Sequence, residues 1–305
     1  MKAVLLYEFG GPEKLKYVTD AHDPEIAPHE ILIASTAVGV NPIDYKMRNG
    51  SAQARSPISF PAILGRDVSG IVRAIGSEVS GVAVGDRVMA LTHHTYAELV
   101  VAQAGEVTHV PEGLDLVQAA ALPLVALTGD QLVRFGAKVQ SGQTVLITGA
   151  LGSVGRAAIH TAKKLGAHVI AGVRKHSLEA AKELGADTVL ALDDPEALEK
   201  LGFVDAVADT VGGHTADILM THVKQGGVFG TVVTPIPDHT LNPTIELNHI
   251  MSQPDSTRVR EFAEDLRDGK FILPIDRMIA LAEATEAHIA LEKEHVSGKV
   301  LLLVL

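Results

Sequence analysis

Eight residues, Thr148-Gly149-Ala150-Leu151-Gly152-Ser153-Val154-Gly155, constrain this chain more than any other segment. An apolar run, Thr144–Thr148, precedes them, and a stretch with helical spacing from about Ser153 to Leu165 follows. Small residues at such a junction permit a tight strand-to-helix turn that bulkier ones forbid. In the G-x-G-x-x-G register, Ala150 takes the first place, Gly152 the second and Gly155 the third. Gly152 lets backbone approach a diphosphate, and Gly155 lets the helix pack tightly on the sheet. The amides of Ser153 and Val154 point at the anion, where a helix start carries about half a positive charge. Ala150, Leu151, Gly152, Ser153, Val154 and Gly155 are therefore the expected diphosphate-binding segment. A tight turn without ligand is the alternative; placement at the first junction of a repeated unit favours the ligand.

That repeat begins at Gln143. Strands are expected at His168–Val173, Thr188–Leu192, Val204–Asp209 and Gly227–Val233, with helices at about Ser177–Leu184 and Thr215–Val223. The alternation implies a doubly wound parallel sheet covered by helices on both faces. The preceding third is β-rich, with strands expected at Lys2–Tyr7, Glu30–Val38, Val68–Ile75, Arg87–Leu91 and Tyr96–Val101. Near Leu116 it gives way to an alanine-rich helical stretch. After Thr234 the rhythm breaks, leaving helices at about Ser256–Asp268 and Leu281–Leu291 and an apolar terminal strand, Lys299–Leu305. That strand must pair, and the N-terminal lobe is its expected partner. The expected domains are residues 1–118 with 253–305, and residues 119–252.

A ribose 2′-hydroxyl is usually held by an acid about twenty residues past the glycines. Here the stretch reads Ala171-Gly172-Val173-Arg174-Lys175-His176. Arg174 and Lys175, without an acid, suit a 2′-phosphate and hence NADPH over NADH. An ordinary solvated pair at a helix start is the alternative.

Composition excludes several classes. A length of 305 residues leaves room for about two domains. The net charge of −11 opposes nucleic acid and anionic membrane surfaces, and the absence of tryptophan opposes base stacking. The absence of cysteine removes disulfides, thiolate nucleophiles and cysteine metal sites. The start turns polar too soon for a signal peptide, and Ala119–Leu127 is short and interrupted by Pro123, so a cytoplasmic protein is expected. His93-His94 reads as a solvated turn rather than a metal site, and Asp193-Asp194 as turn or N-cap residues. Gly152-Ser153-Val154-Gly155 lacks the spacing of a nucleophile elbow.

Further segments follow in a specific order: Gly39-Val40-Asn41-Pro42-Ile43-Asp44-Tyr45-Lys46, Gly65-Arg66-Asp67-Val68-Ser69-Gly70-Ile71-Val72, Val84-Gly85-Asp86-Arg87-Val88 and Thr95-Tyr96-Ala97-Glu98. Ala121-Leu122-Pro123 through Leu127-Thr128, Asp209-Thr210-Val211-Gly212-Gly213 and His295-Val296-Ser297-Gly298-Lys299-Val300 complete the series. Together they resemble the zinc-free quinone oxidoreductase branch of the medium-chain dehydrogenase/reductase superfamily, across essentially the full chain. The resemblance implies an α/β protein: a GroES-like β-barrel catalytic domain plus a Rossmann doubly wound parallel-sheet domain, with NADPH in the cleft between them. It places Asn41 and Thr128 near the nicotinamide, and Val211, Phe229, Gly230 and Thr231 at the cofactor. Thr231 departs from the asparagine of relatives, and Asp130 stands where they often carry an aromatic. Asn41 and Arg66 occupy the places of two zinc ligands in metal-dependent cousins, and neither is a thiolate or imidazole.

Without zinc, the accessible reaction is hydride delivery to an already electron-poor acceptor, a quinone or an α,β-unsaturated carbonyl. Tyr45 is the expected proton donor, with packing as its alternative role; Lys46 and Arg48 could orient an acceptor oxygen or be ordinary surface charge. Two rivals remain: an enoyl-thioester reductase, and a non-catalytic NADPH-binding structural or regulatory protein. The resemblance also implies a homodimer, with Gly227–Val233 as a plausible pairing edge.

Overall fold

The computed structural model describes residues 1–294 and 296–304, so His295 of the last motif and Leu305 of the expected terminal strand lie outside the described residues. The chain divides into two units, Met1–Leu124 with Pro254–Leu305, and Val125–Gln253. The first boundary lies beyond residue 118 because helix Leu116–Ala120 is tied to the first unit. Ser69 Oγ donates to Leu116 O at 2.5 Å, and the Leu124 amide donates to Asp67 Oδ1 at 2.6 Å.

The main sheet of the first unit runs Ile275–Ala280, Lys299–Leu303, Glu30–Val40, Asp67–Ile75, Arg87–Leu91, Val107–His109, with Leu99–Gln103 also pairing on Glu30–Val40. Glu30–Val40 is long, apolar and β-branched, and buries Ile31, Ile33 and Val38. The terminal strand pairs antiparallel with it, Val300 opposite Val40 and Leu303 opposite Ala37, so this unit is discontinuous in sequence. Strand Ile275–Ala280 was not expected; its Asp276-Arg277 breaks the apolar run. The strand expected from Tyr96 begins at Leu99, because Tyr96 is buried in the preceding loop.

Tyr96 anchors a directional hydrogen-bond chain. Arg48 has only donors, so its Nη1 contact with His288 Nδ1 at 3.0 Å makes that nitrogen the acceptor and leaves the proton on Nε2. Nε2 then donates to the Tyr96 hydroxyl at 3.1 Å, which donates to Asp44 Oδ2 at 2.9 Å. Arg48 also donates to Glu292 at 2.7 Å and to Gly10 O at 3.1 Å, so it is a structural tie and is not free for an acceptor. Burial, then the Arg48 charge, push His288 down to about 3, and the ring is neutral at pH 7. Asp44 accepts from the Asn41 amide at 2.8 Å, but its Oδ1 has no partner. Burial outweighs these bonds and raises the Asp44 carboxyl to about 7.

The second unit holds six parallel strands in the order Thr188–Ala191, His168–Val173, Thr144–Thr148, Val204–Asp209, Val223–Thr231, Glu246–His249. Counted along the chain this is 3-2-1-4-5-6, the dinucleotide-binding order. Helix Ser153–Lys164 buries Ala158, Ile159 and Ala162 in one cluster with Val145, Ile147 and Val169 of the sheet. The helix expected at 177–184 is a single α-turn, Leu178–Ala181, flanked by 3-10 turns. Strand Glu246–His249 corrects one expectation. It pairs with Val228–Thr231, so 227–233 is not an exposed edge. Glu-Leu-Asn-His carries one apolar residue, too little pattern to read as a strand. No helix among the described residues is long and apolar enough to cross a membrane.

The raised Asp44 pKa fixes a sign. The folded state holds a proton that the unfolded state has released between about pH 4 and 7, so Asp44 costs stability as pH rises through that window. Asp44→Asn should therefore be more stable than the parent at pH 8, by about 2 kcal/mol at roughly 1.4 kcal/mol per pKa unit after relaxation. Denaturant unfolding should show that advantage shrinking toward pH 5; a difference independent of pH would contradict the assignment.

Candidate functional site

The strand order reverses beside strand Thr144–Thr148, and the glycine turn opens from its carboxyl end. Gly149 has φ +60°, and a Cβ there would lie 2.4 Å from Thr210 Oγ1. A Cβ on Gly155 would lie 2.3 Å from Gly149 O, so that position packs helix on turn. The turn is closed by the Gly152 amide on Gly149 O at 2.9 Å, and the Ala150 amide sets it against the next strand through Gly172 O at 3.2 Å. Gly152 is the N-cap and supplies no side-chain cap, and no acid stands in the first turn. The opening amides of Ser153 and Val154 are thus left to an anion. This fits a dinucleotide diphosphate.

Asp209, at the end of the fourth strand, organises the lip beside that turn. Its Oδ1 accepts from Thr148 Oγ1 at 2.8 Å and from the amides of Val211 and Gly212, each at 3.1 Å. Its Oδ2 accepts from Thr231 Oγ1 at 2.7 Å. Thr210 closes the arrangement, its amide donating to Thr148 Oγ1 at 2.8 Å and its hydroxyl to Thr148 O at 2.7 Å. Sequence reading passed over Asp209 as one letter of a motif. The available signal was an acid ending a buried strand just before a glycine pair.

Of the residues expected at the cofactor, Val211 is 47% exposed, an apolar surface beside the turn. The Phe229 side chain instead fills the core, and Gly230 packs where a Cβ would meet Ala137 N at 2.5 Å. The Thr231 hydroxyl is spent on Asp209 and the Val233 amide. The backbone of Phe229 and Thr231 is paired with strands on both sides, so neither residue offers a free side chain or strand edge. Arg174 is exposed and forms no ion pair among the described residues. Lys175 differs: Asp194 holds its ammonium at 2.8 Å and raises its pKa, and its amide donates to Asp193. Asp194 also caps helix Pro195–Glu199.

In the first unit, Asn41 caps helix Pro42–Arg48 and its amide is saturated. Nδ2 donates to Asp67 Oδ2 at 2.8 Å, and Oδ1 accepts from Lys299 Nζ at 2.6 Å. Lys299 also pairs with Asp67 at 3.2 Å. Tyr45 is half-buried; burial, then Glu292, raise its pKa, so the phenol keeps its proton at neutral pH. Lys46 is half-buried and unpaired among the described residues, and burial, then Arg55, lower its pKa. Arg66 donates through Nε to Thr92 O at 3.0 Å. Thr128 lies in the second unit on helix Pro123–Gln131, partly buried. His94 adopts φ +60° with Nδ1 on Ile63 O, and among the described residues no group of three or more His, Asp or Glu is arranged to hold a metal ion.

Residues 27–114 match the alcohol dehydrogenase GroES-like domain family, and residues 184–302 match the zinc-binding dehydrogenase family. The mitochondrial NAD(P)H oxidoreductase RTN4IP1 of Mus musculus is 32% identical, covering 98% of this chain and 88% of the relative. A quinone oxidoreductase of Pseudomonas aeruginosa is 31% identical over 99% of each chain. Among solved structures, the quinone oxidoreductase of Coxiella burnetii superposes with TM-score 0.89 at 33% identity, over 100% of this chain and 99% of the other. A mycobacterial protein solved complexed with NADPH gives TM-score 0.86 at 30% identity, with full coverage of both. The chain belongs to the medium-chain dehydrogenase/reductase superfamily of oxidoreductases, within its quinone oxidoreductase branch.

Proposed function

We propose that this protein is an NADPH-dependent, zinc-independent reductase of quinones or α,β-unsaturated carbonyls. The observation that carries the reading is the uncapped turn at residues 149–155, with the unpaired Arg174 two residues beyond the strand carbonyl that the turn touches. Bound NADPH would supply the hydride. The chain would hold the diphosphate on the amides of Ser153 and Val154, and the 2′-phosphate on Arg174 rather than on the Arg174–Lys175 pair. Lys175 is already neutralised by Asp194.

Zinc independence rests on the donors. The Asn41 amide is consumed by Asp67 and Lys299, and the Arg66 guanidinium is a cation. Neither can serve as a metal ligand. Without a Lewis acid, the acceptor must already be electron-poor, and reduction needs one proton at its oxygen or α-carbon. Tyr45 supports that role because its hydroxyl remains protonated and makes no hydrogen bond among the described residues.

Three measurements test the reading. NADPH consumption should be measurable with quinones and enones and unchanged by a chelator; binding without turnover across the panel would favour a non-catalytic protein instead. Arg174→Ala should raise KM for NADPH by about tenfold or more, the scale of a lost charge-assisted contact, while leaving NADH unaffected. Lys175→Ala should do far less, and equal effects on both cofactors in Arg174→Ala would refute the 2′-phosphate assignment. Tyr45→Phe should lower kcat by at least about tenfold if the phenol is the acid; a loss below about threefold removes it.

A further inference from the structure

Arg156 stands one turn inside helix Ser153–Lys164, with its amide on Gly152 O at 2.9 Å. Its side chain runs back toward the helix start, as long helical side chains do, and Nε donates to Leu151 O at 3.1 Å. Leu151 belongs to the glycine turn, so the guanidinium lies beside the opening amides. It is half-buried, which pushes its pKa down. Even so, it forms no ion pair, and its η nitrogens have no partner among the described residues.

Paired cations are common elsewhere in this unit, although the exposed Lys200 forms no ion pair among the described residues. Arg134 pairs with Asp130, Lys138 with Glu246, Lys163 with Asp187, Lys175 with Asp194 and Lys224 with Asp205. Of the unit's three guanidinium groups, Arg156 and Arg174 alone are left without a carboxylate among the described residues. Arg156 also sits at the positive end of its helix, where the macrodipole opposes a cation. A partly desolvated charge in a repulsive position disfavours the folded state unless an anion joins it. The position offers nothing to the empty helix and much to a helix start carrying phosphate.

We propose that Arg156 grips the diphosphate of the dinucleotide, adding a guanidinium fork to the amides of Ser153 and Val154. This rests on the NADPH reading above. It divides the phosphates between two arginines: Arg156 takes the diphosphate common to NADPH and NADH, and Arg174 takes the 2′-phosphate that only NADPH carries.

The test is direct binding of NADPH and of NADH, followed by fluorescence or calorimetry, with the melting temperature of the ligand-free protein. Arg156→Gln keeps a donor for Leu151 O but removes the charge. It should weaken both cofactors by the same factor, about tenfold or more, without lowering the ligand-free melting temperature. Arg156→Lys should recover most of that affinity. Wild-type affinity in Arg156→Gln would overturn the proposal. So would a loss confined to NADPH, which would move the group to the 2′-phosphate. Equal losses in the Gln and Lys variants, or a lowered ligand-free melting temperature, would reveal a purely structural side chain. Failure of the unaltered protein to bind either dinucleotide would remove the cofactor reading itself, and the proposal with it.

Discussion

The carboxyl edge of the second unit depends on one buried carboxylate. Asp209 ties the ends of three neighbouring strands through Thr148, Thr231 and its own backbone, and takes up the amides of Val211 and Gly212. Parallel strands bring their carboxyl ends to one side, where loops diverge and backbone groups lose ladder partners. A carboxylate accepting four hydrogen bonds satisfies several such groups at once and fixes the lip against the glycine turn. Thr210 and Gly149 show how tight that fit is: any side chain on Gly149 would enter the Thr210 hydroxyl. The rigidity of the turn is therefore a property of the fourth and fifth strand–loop junctions as much as of its own glycines.

Against that rigid edge, the helix start is deliberately incomplete. Four helix starts among the described residues carry a side-chain acceptor, from Asp115, Asp194, Asp238 and Asp255. Helix Ser153–Lys164 begins on Gly152 without one and adds a cation in its second turn. Substituting a good N-cap residue typically gains about 1 kcal/mol, so the absence has a stability cost. Local structure that disfavours the empty fold is where function concentrates.

How much of this was readable beforehand follows from what periodicity can carry. The buried strands Thr144–Thr148 and His168–Val173 are largely apolar runs between turn residues, Val204–Asp209 is interrupted inside only by Asp205, and the expected bounds of all three coincide with the structure. Glu246–His249 and Ile275–Ala280 lie at the ends of their sheets, where one flank needs no partner and the apolar pattern thins out. The glycine turn was legible because glycine is demanded there by backbone geometry, a local matter. Side-chain fate was not. Lys175 and Arg174 are adjacent and alike in sequence, yet Asp194, nineteen positions beyond Lys175, neutralises only one of them. Nothing in the sequence marks Arg156; its lack of a counter-charge among the described residues shows only in the structure.

Asn41 makes the same point in the first unit, with a different consequence. The resemblance sets it near the nicotinamide, but its amide is held at both ends, by Asp67 and by Lys299, in a site with almost no exposure. Lys299 comes from the terminal strand, so the pairing of that strand with Glu30–Val40 delivers the ammonium to the start of helix Pro42–Arg48. Removing one member would leave another buried charge unpaired, the costly direction of change. Asn41 also fixes the first turn of the helix through its backbone, its carbonyl accepting from the Asp44 amide at 2.9 Å and its backbone N–H donating to Asp44 Oδ2 at 2.8 Å. The same turn carries Tyr45 and Lys46, whose side-chain polar groups have no partner among the described residues. The buried cluster of Asn41, Asp67 and Lys299 thus spends its polar groups on one another at the start of this helix.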